Sequence, residues 1–302
     1  MGHHYLPRRL LRGFAQENRI WTLDMKCGGD PKLLPIARVA QEPAMYSNEL
    51  EDRLNSEYEQ PFNVILDRLG AGGGIGAQDI EAIARYAMTM LRRVPAGRAR
   101  SAKALPDVAV AVEREQLRRI DMLEQLVPDE RDLAEKGRAN ISKIMARIRA
   151  QDSDWLWHRT LLPENFPRLT AALQQMTWER WQAPAGRQLL IGDSPVLFNE
   201  YLGLGHEKAE LILPVRSDTA LIATWRPGHQ GQLRKLSVQQ TRLLNARVVA
   251  RADRWIFFER HEDWIVPFVC KHSKVHDDHV DATKGKAGVQ TGVQRRARVV
   301  DP

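Results

Sequence analysis

Two hydrophobic periodicities occupy separate stretches of this chain, and their order limits the architecture it can adopt. Over residues 48–176 apolar side chains recur at helical spacing, whereas after residue 177 they fall into short runs, several with aromatic or β-branched residues. Ahead of both, residues 20–25 (IWTLDM) alternate apolar and polar, read as a strand, and end at Gly28, Gly29 and Pro31. A strand, a run of helices, then strands interrupted by one helix is the order of an α+β fold rather than of alternating βαβ units. The expected architecture is an N-terminal strand, a central bundle of about four to five helices over 48–176, and a mostly antiparallel sheet with one helix over 177–270. Residues 1–270 read as a single α+β domain. Residues 271–302, poor in aromatics and large aliphatics, read as a flexible basic tail.

Spacing and punctuation set the individual elements. Pro7 suits the first turn of a short helix whose Leu10, Leu11 and Phe14 share a face. Phe62, Ile65, Leu66 and Leu69 lie at i, i+3, i+4, i+7 behind the acidic turn of Glu49, Glu51 and Asp52, and Pro61 is expected to kink or divide that helix. Ile80, Ile83, Ala84, Ala87, Met88 and Leu91 form the stripe of a helix that stops before Pro95. Further helices are expected at about 105–127, 131–150 and 165–176, with a late one at about 237–249 capped by Ser237. Strands are expected at 178–181, 188–191, 210–214, 220–223 and 255–258, while residues 30–46 read as irregular.

The 302 residues are 43% hydrophobic and 27% charged, enough to bury a core and too apolar for wholesale disorder. A net charge of +7 permits an anionic partner without demanding one. Cys27 and Cys270 form no CxxC pair, which excludes a disulfide framework or a cysteine zinc site. The longest apolar stretch, about 264–270, is broken by Pro267, so no membrane span is expected. The opening stretch carries Arg8, Arg9 and Arg12 with no apolar h-region, so no secretory signal is read and a cytoplasmic protein is expected.

Several motifs have chemistry to offer. The run Gly72-Gly73-Gly74-Ile75-Gly76-Ala77 satisfies GxGxxA, but a helix precedes it and no P-loop ending follows, so it reads as a flexible hinge. His272, His276 and His279, with Asp277, Asp278 and Asp281, are metal-ligating types on a segment with no apolar stripe, and read as adventitious binding by the tail. Arg92 and Arg93, followed by Arg98, Arg100 and Lys103, are either a solvated helix end or a phosphate clamp. His3-His4-Tyr5 offers imidazoles for proton transfer or metal binding, and Leu10, Leu11 and Phe14 would dock the segment and orient them. In Gly192-Asp193-Ser194-Pro195, Asp193 either closes an Asx-turn or presents a carboxylate at the end of a core strand. Glu57 and Glu59 are of a solvent-facing type, although period places Glu57 a turn from Leu50 and Leu54.

Taken in order, these pieces resemble the domain of unknown function 4238 family, a bacterial and fungal group. The opening His3-His4-Tyr5-Leu6-Pro7-Arg8 through Phe14 is similar to the family's His-x-Tyr-x-Pro start, and Met90-Leu91-Arg92-Arg93-Val94-Pro95 to its Leu-Arg-x-Pro step. Residues 20–25 are similar to its aromatic-rich strand, and the helix with Glu49, Asp52 and Glu57 to its acidic helix. Leu190-Ile191-Gly192-Asp193-Ser194-Pro195-Val196 resembles its Asp-x-Pro signature, with Gly192 where a hydroxyl residue is common, and Leu213-Pro214-Val215 the strand that follows. Asn245 sits where the family's late helix carries an Asn.

The family name implies no activity. What the resemblance does imply is that His3, Tyr5, Glu57, Arg92 or Arg93, Asp193 and Asn245 converge. Such a set points to a metal-assisted hydrolase of a phosphodiester or nucleic-acid substrate. In it Asp193 and Glu57 would hold Mg²⁺ or Mn²⁺, His3 would act as base or ligand, Arg92 or Arg93 would clamp the anion, and Tyr5 and Asn245 would complete the site. The alternative is a non-catalytic module for nucleic acid or a protein, in which the same residues are structural ties, for instance His3 and Tyr5 bonded to Asp193, and the basic tail 271–302 carries the affinity. The sequence leaves the oligomeric state open.

Overall fold

The computed structural model describes residues 2–26, 29–43, 45–150, 153–198 and 202–273. The N-terminal part comprises β1 (Gly2–His4), α1 (Arg8–Arg12), β2 (Arg19–Asp24), β3 (Lys32–Pro35) and β4 (Gln41–Pro43). Helices follow: α2 (Asn48–Leu54), a π-helical turn (Asn55–Glu59), α3 (Gln60–Gly70), α4 (Ile80–Arg93), α5 (Pro95–Leu126), α6 (Arg131–Ala150), α7 (Ser153–Thr160) and α8 (Pro167–Gln175). The remainder is β5 (Thr177–Gln182), β6 (Ile191–Gly192), β7 (Leu197–Phe198), β8 (Glu210–Arg216), β9 (Thr219–Thr224), β10 (Leu233–Lys235), α9 (Val238–Arg251), β11 (Trp255–Phe258) and α10 (Ile265–His272). The expected α+β architecture is the one found.

The strands form three sheets. One has the order β10-β5-β9-β8-β7, antiparallel apart from the β10–β5 pair. A second, β3-β2-β11-β6, is antiparallel throughout and pairs the N-terminal β2 with the late strand β11, with Trp21 opposite Phe258 and Asp24 opposite Trp255. The third pairs β1 with β4. The core draws on α1, α4, β8, β9 and β11, where Leu10, Leu11, Ile83, Ala87, Ile212, Leu221, Ile256 and Phe258 are buried. Gly13 lets α1 sit against β8: a Cβ there would meet the Val215 carbonyl oxygen at 2.4 Å.

Several boundaries differ from those read in the sequence, each for a physical reason. Residues 30–46 are not wholly irregular: β3 is short and pairs with the preceding β2, while β4 is short and finds its partner, β1, far away in sequence. The helix read at 105–127 begins at Pro95, because a proline that ends α4 also suits the first turn of the next helix, and α5 continues through Pro106. Gly97 permits that tight junction, since a Cβ would meet the Arg92 carbonyl oxygen at 2.1 Å. The strand read at 188–191 shrinks to Ile191–Gly192, because the backbone at Gln188 and Leu190 bonds to the side chain of Asn245 instead of a neighbouring strand. α7 and α10 are too short to announce themselves by period. The glycine run, read as a hinge, is tied by hydrogen bonds in this structure. Arg68 donates to the Gly74 carbonyl at 2.8 Å, the Gly76 N–H donates to Asp79 at 2.7 Å, and Arg180 bonds the Gly73 carbonyl. His276, His279, Asp277, Asp278 and Asp281 lie outside the described residues.

Candidate functional site

Docking of the N-terminal segment fixes the first cluster. Leu6, Leu10, Leu11 and Phe14 are buried, and β1 pairs with β4 so that His3 lies opposite Glu42. His3 stacks face to face on Tyr46, with ring centroids 4.8 Å apart, and its Nδ1 accepts from the Tyr46 N–H at 3.4 Å. That bond places the proton of the neutral ring on Nε2. His4 is buried too. Its Nε2 accepts from Arg8 Nε at 2.7 Å, so the neutral ring carries its proton on Nδ1, which is buried without a partner. Burial, followed by the charges of Arg8 and Arg93, lowers the His4 pKa to about 4, so the ring is neutral at physiological pH.

Arg93 is the centre of this cluster. Only 1% of its side chain is exposed. Its Nε donates to the Tyr46 hydroxyl at 2.7 Å, one terminal nitrogen donates to Glu51 at 2.9 Å, and the other pairs with Glu59. Burial opposes its charge, but Glu59, Tyr46 and Glu51 together outweigh burial and raise its pKa. The tilted ring of Trp157 packs 6.0 Å from Tyr46, and His158 meets the Tyr46 edge while its Nε2 bonds the Met45 carbonyl at 2.9 Å.

Glu57 is not in this cluster. It is exposed and ion-paired with Arg53 at 2.8 Å, a hydrogen bond that lowers its pKa. The π turn explains the exchange of Glu57 for Glu59. A π turn takes up one residue more than an α turn, so Glu51 and Glu59, eight apart in sequence, share a face as residues seven apart would in a regular helix. Arg92 and Arg93 do not act together either. The Arg92 guanidinium lies 3.5 Å from the ring centre of Phe166, its Nε is buried without a partner, and burial lowers its pKa to about 10. Its carbonyl accepts from the Trp157 indole at 2.8 Å.

Asp193 occupies a different place, where β6 meets β11. Oδ1 accepts from the Asp253 N–H at 2.8 Å, and Oδ2 from the N–H groups of Arg254 at 2.8 Å and Trp255 at 3.0 Å. Burial pushes its pKa up to about 6 against the pull of those three donors. Tyr5 is buried within reach of the Asp193 charge, and burial first, then Asp193 and Glu42, raises its phenol pKa. His3 bonds Tyr46 rather than Asp193. Among the described residues no group of three or more His, Cys, Asp or Glu is placed to share a metal ion.

Asn245 marks a third place. Its Oδ1 accepts from the Leu190 N–H and its Nδ2 donates to the Gln188 carbonyl, both at 2.9 Å, tying α9 to the extended segment that leads into β6 and Asp193. Beside it, α9 and α10 enclose a cleft of about 470 Å³. Trp264, Pro267 and Phe268 supply its apolar wall, and exposed Arg187, Arg242 and Lys271 its rim.

The family described as "Protein of unknown function (DUF4238)" matches residues 2–262. The chain belongs to the DUF4238 family. No curated protein and no solved structure matches it. The family's span contains His3, Tyr5, Glu57, Arg92, Arg93, Asp193 and Asn245, whereas Trp264, Phe268 and Lys271 of the cleft lie beyond it. No helix among the described residues is long and apolar enough to cross a membrane.

Sequence reasoning missed Tyr46, Trp157 and His158 as members of the Arg93 cluster. Tyr46 lies in a stretch with no period, and Trp157 on a short helix. A signal for Glu51 was present in the acidic opening turn, but that signal reads equally as a response to the helix dipole.

Proposed function

We propose that this DUF4238 protein is a non-catalytic nucleic-acid-binding module in which the motif residues are structural ties and the ligand surface is the α9/α10 cleft. The observation that carries this reading is where the polar groups are spent. Asp193 holds three backbone N–H groups, Asn245 splints the 188–190 backbone, and Arg93 joins Glu51, Glu59 and Tyr46. By contrast Arg187, Arg242 and Lys271 are exposed at the cleft and have no ion-pair partner among the described residues. Cations beside a half-exposed indole suit a strand of nucleic acid, its phosphates meeting the rim and a base the Trp264 ring, while buried Phe268 backs the cleft with the Arg242 guanidinium 5.8 Å from its ring centre.

Fluorescence polarisation with a labelled single-stranded oligonucleotide over a salt series tests the reading. Affinity is expected to fall steeply with salt, and Arg187→Ala/Arg242→Ala to weaken binding about tenfold or more and to flatten the salt slope by about two. No binding at low salt, or binding untouched by the double variant, overturns it.

One observation favours a metal-assisted hydrolase as a second reading: Asp193 is a buried carboxyl whose pKa is raised to about 6, with Tyr5 beside it. Melting temperatures with and without Mg²⁺ or Mn²⁺ separate the two. The binding-module reading expects no metal-dependent rise that Asp193→Asn removes, and no phosphodiester cleavage in either ion.

A further inference from the structure

We infer that a second copy of this chain docks antiparallel along α5, giving a two-fold dimer centred at the level of Leu117. α5 is 32 residues long yet buries only Gly97, Ser101 and Ala109. From Val108 its outer face steps by four and three residues in alternation through Val112, Glu115, Arg119, Met122 and Leu126. That is the spacing of a coiled-coil seam, here on a helix with one side open to solvent. Its apolar members are exposed: Val108 and Val112 by 42%, Met122 by 49% and Leu126 by 75%. The seam spans about 27 Å at 1.5 Å per residue. Beside it the groove between α5 and α6, about 450 Å³ and lined by Ile120, Leu123, Val127 and Leu133, widens the apolar surface.

The charges in the seam select the occupant. A two-fold axis perpendicular to α5 at Leu117 places Val108 opposite Leu126 of the other copy and Val112 opposite its Met122. It also places Glu115 opposite Arg119, and Arg119 opposite Glu115. The one charged step in the seam is therefore self-complementary in the antiparallel arrangement, and a single isologous contact closes the assembly. A parallel pairing would set Glu115 against Glu115 and Arg119 against Arg119. Within one chain Glu115 already accepts from Arg118 at 3.1 Å and Arg119 at 3.0 Å, which holds these charges along the outer face. A polar step inside an apolar seam fixes register and orientation.

Sedimentation velocity of the full chain from about 1 to about 100 µM tests the inference. The expected result is a concentration-dependent dimer. Glu115→Arg and Arg119→Glu should each weaken dimerisation about tenfold or more, and the double swap Glu115→Arg/Arg119→Glu should restore it, with circular dichroism unchanged because these positions are exposed. In a Cys27→Ser/Cys270→Ser background, Val112→Cys/Met122→Cys should oxidise to a linked dimer while Val112→Cys alone should not. A wild-type monomer across the whole range, a dimer indifferent to either single swap, or efficient self-linking of Val112→Cys alone would overturn it.

Discussion

α4 and α5 adjoin in sequence and are stabilised by opposite means. α4 buries ten of its 14 residues, α5 three of its 32. α4 is a core helix, so its fully buried cation must bring its counter-charges with it, and Arg93 does so through Glu51, Glu59 and Tyr46, whereas the partly buried Arg92 lies against the Phe166 ring. α5 stands largely in water and is braced by ion pairs at the surface, such as Arg138 to Asp121 and Arg149 to Glu113, across the hairpin with α6. The same residue type therefore has different energetic weight in the two helices, and a polar residue that belongs to a motif can be a requirement of burial rather than of chemistry.

Substitutions sharpen that contrast. Arg93→Met leaves two carboxylates without their cation, and urea unfolding should report a loss of about 3–5 kcal/mol. Glu59→Gln should cost a large part of that, whereas Glu57→Gln, on the exposed Arg53 pair, should stay within about 0.5 kcal/mol. Equal effects from the two glutamates would break the assignment of the buried pair. Asn245→Ala strips two buried backbone groups of their partner and should cost about 2–3 kcal/mol by the same measurement.

The pH dependence has a defined sign. The His4 pKa is lowered to about 4 in the fold from 6.5, so its contribution is fully present above pH 6.5 and is lost as pH falls towards 4, on the order of 3 kcal/mol in total. Asp193 has the opposite slope: with its pKa raised to about 6, its contribution is present below about 3.8 and is lost as pH rises through 6. Comparing His4→Gln with wild type over pH 4–7 isolates the first slope, which should vanish in the variant. At the small end, Arg138→Ala on the α5/α6 surface should change stability least of all, with any loss seen only at low salt.

Much of this was legible in the sequence wherever burial imposed a period. The stripe from Ile80 to Leu91, the docking of Leu10, Leu11 and Phe14, and the Ser237 cap all follow from spacing, and each stands as read. Asn245 was legible as a motif position, but not as the residue that replaces a strand partner for 188–190, because that bond joins groups 55 and 57 residues apart. Glu59 was hidden by the π turn, which shifts helical phase by a residue and which no periodicity announces. The α5 seam was hidden by Glu115 and Arg119, which interrupt an apolar repeat that becomes regular only once they are counted as part of it.

The central claim is that the DUF4238 motif residues hold the fold while the α9/α10 cleft holds the ligand. The most direct test measures unfolding free energy and oligonucleotide affinity side by side for Asp193→Asn and Arg242→Ala. Asp193→Asn should lose about 2 kcal/mol of stability and keep its affinity, while Arg242→Ala should keep its stability and lose affinity. If Asp193→Asn abolishes binding or a metal-dependent activity with its stability intact, the motif residues are the site and the account is wrong.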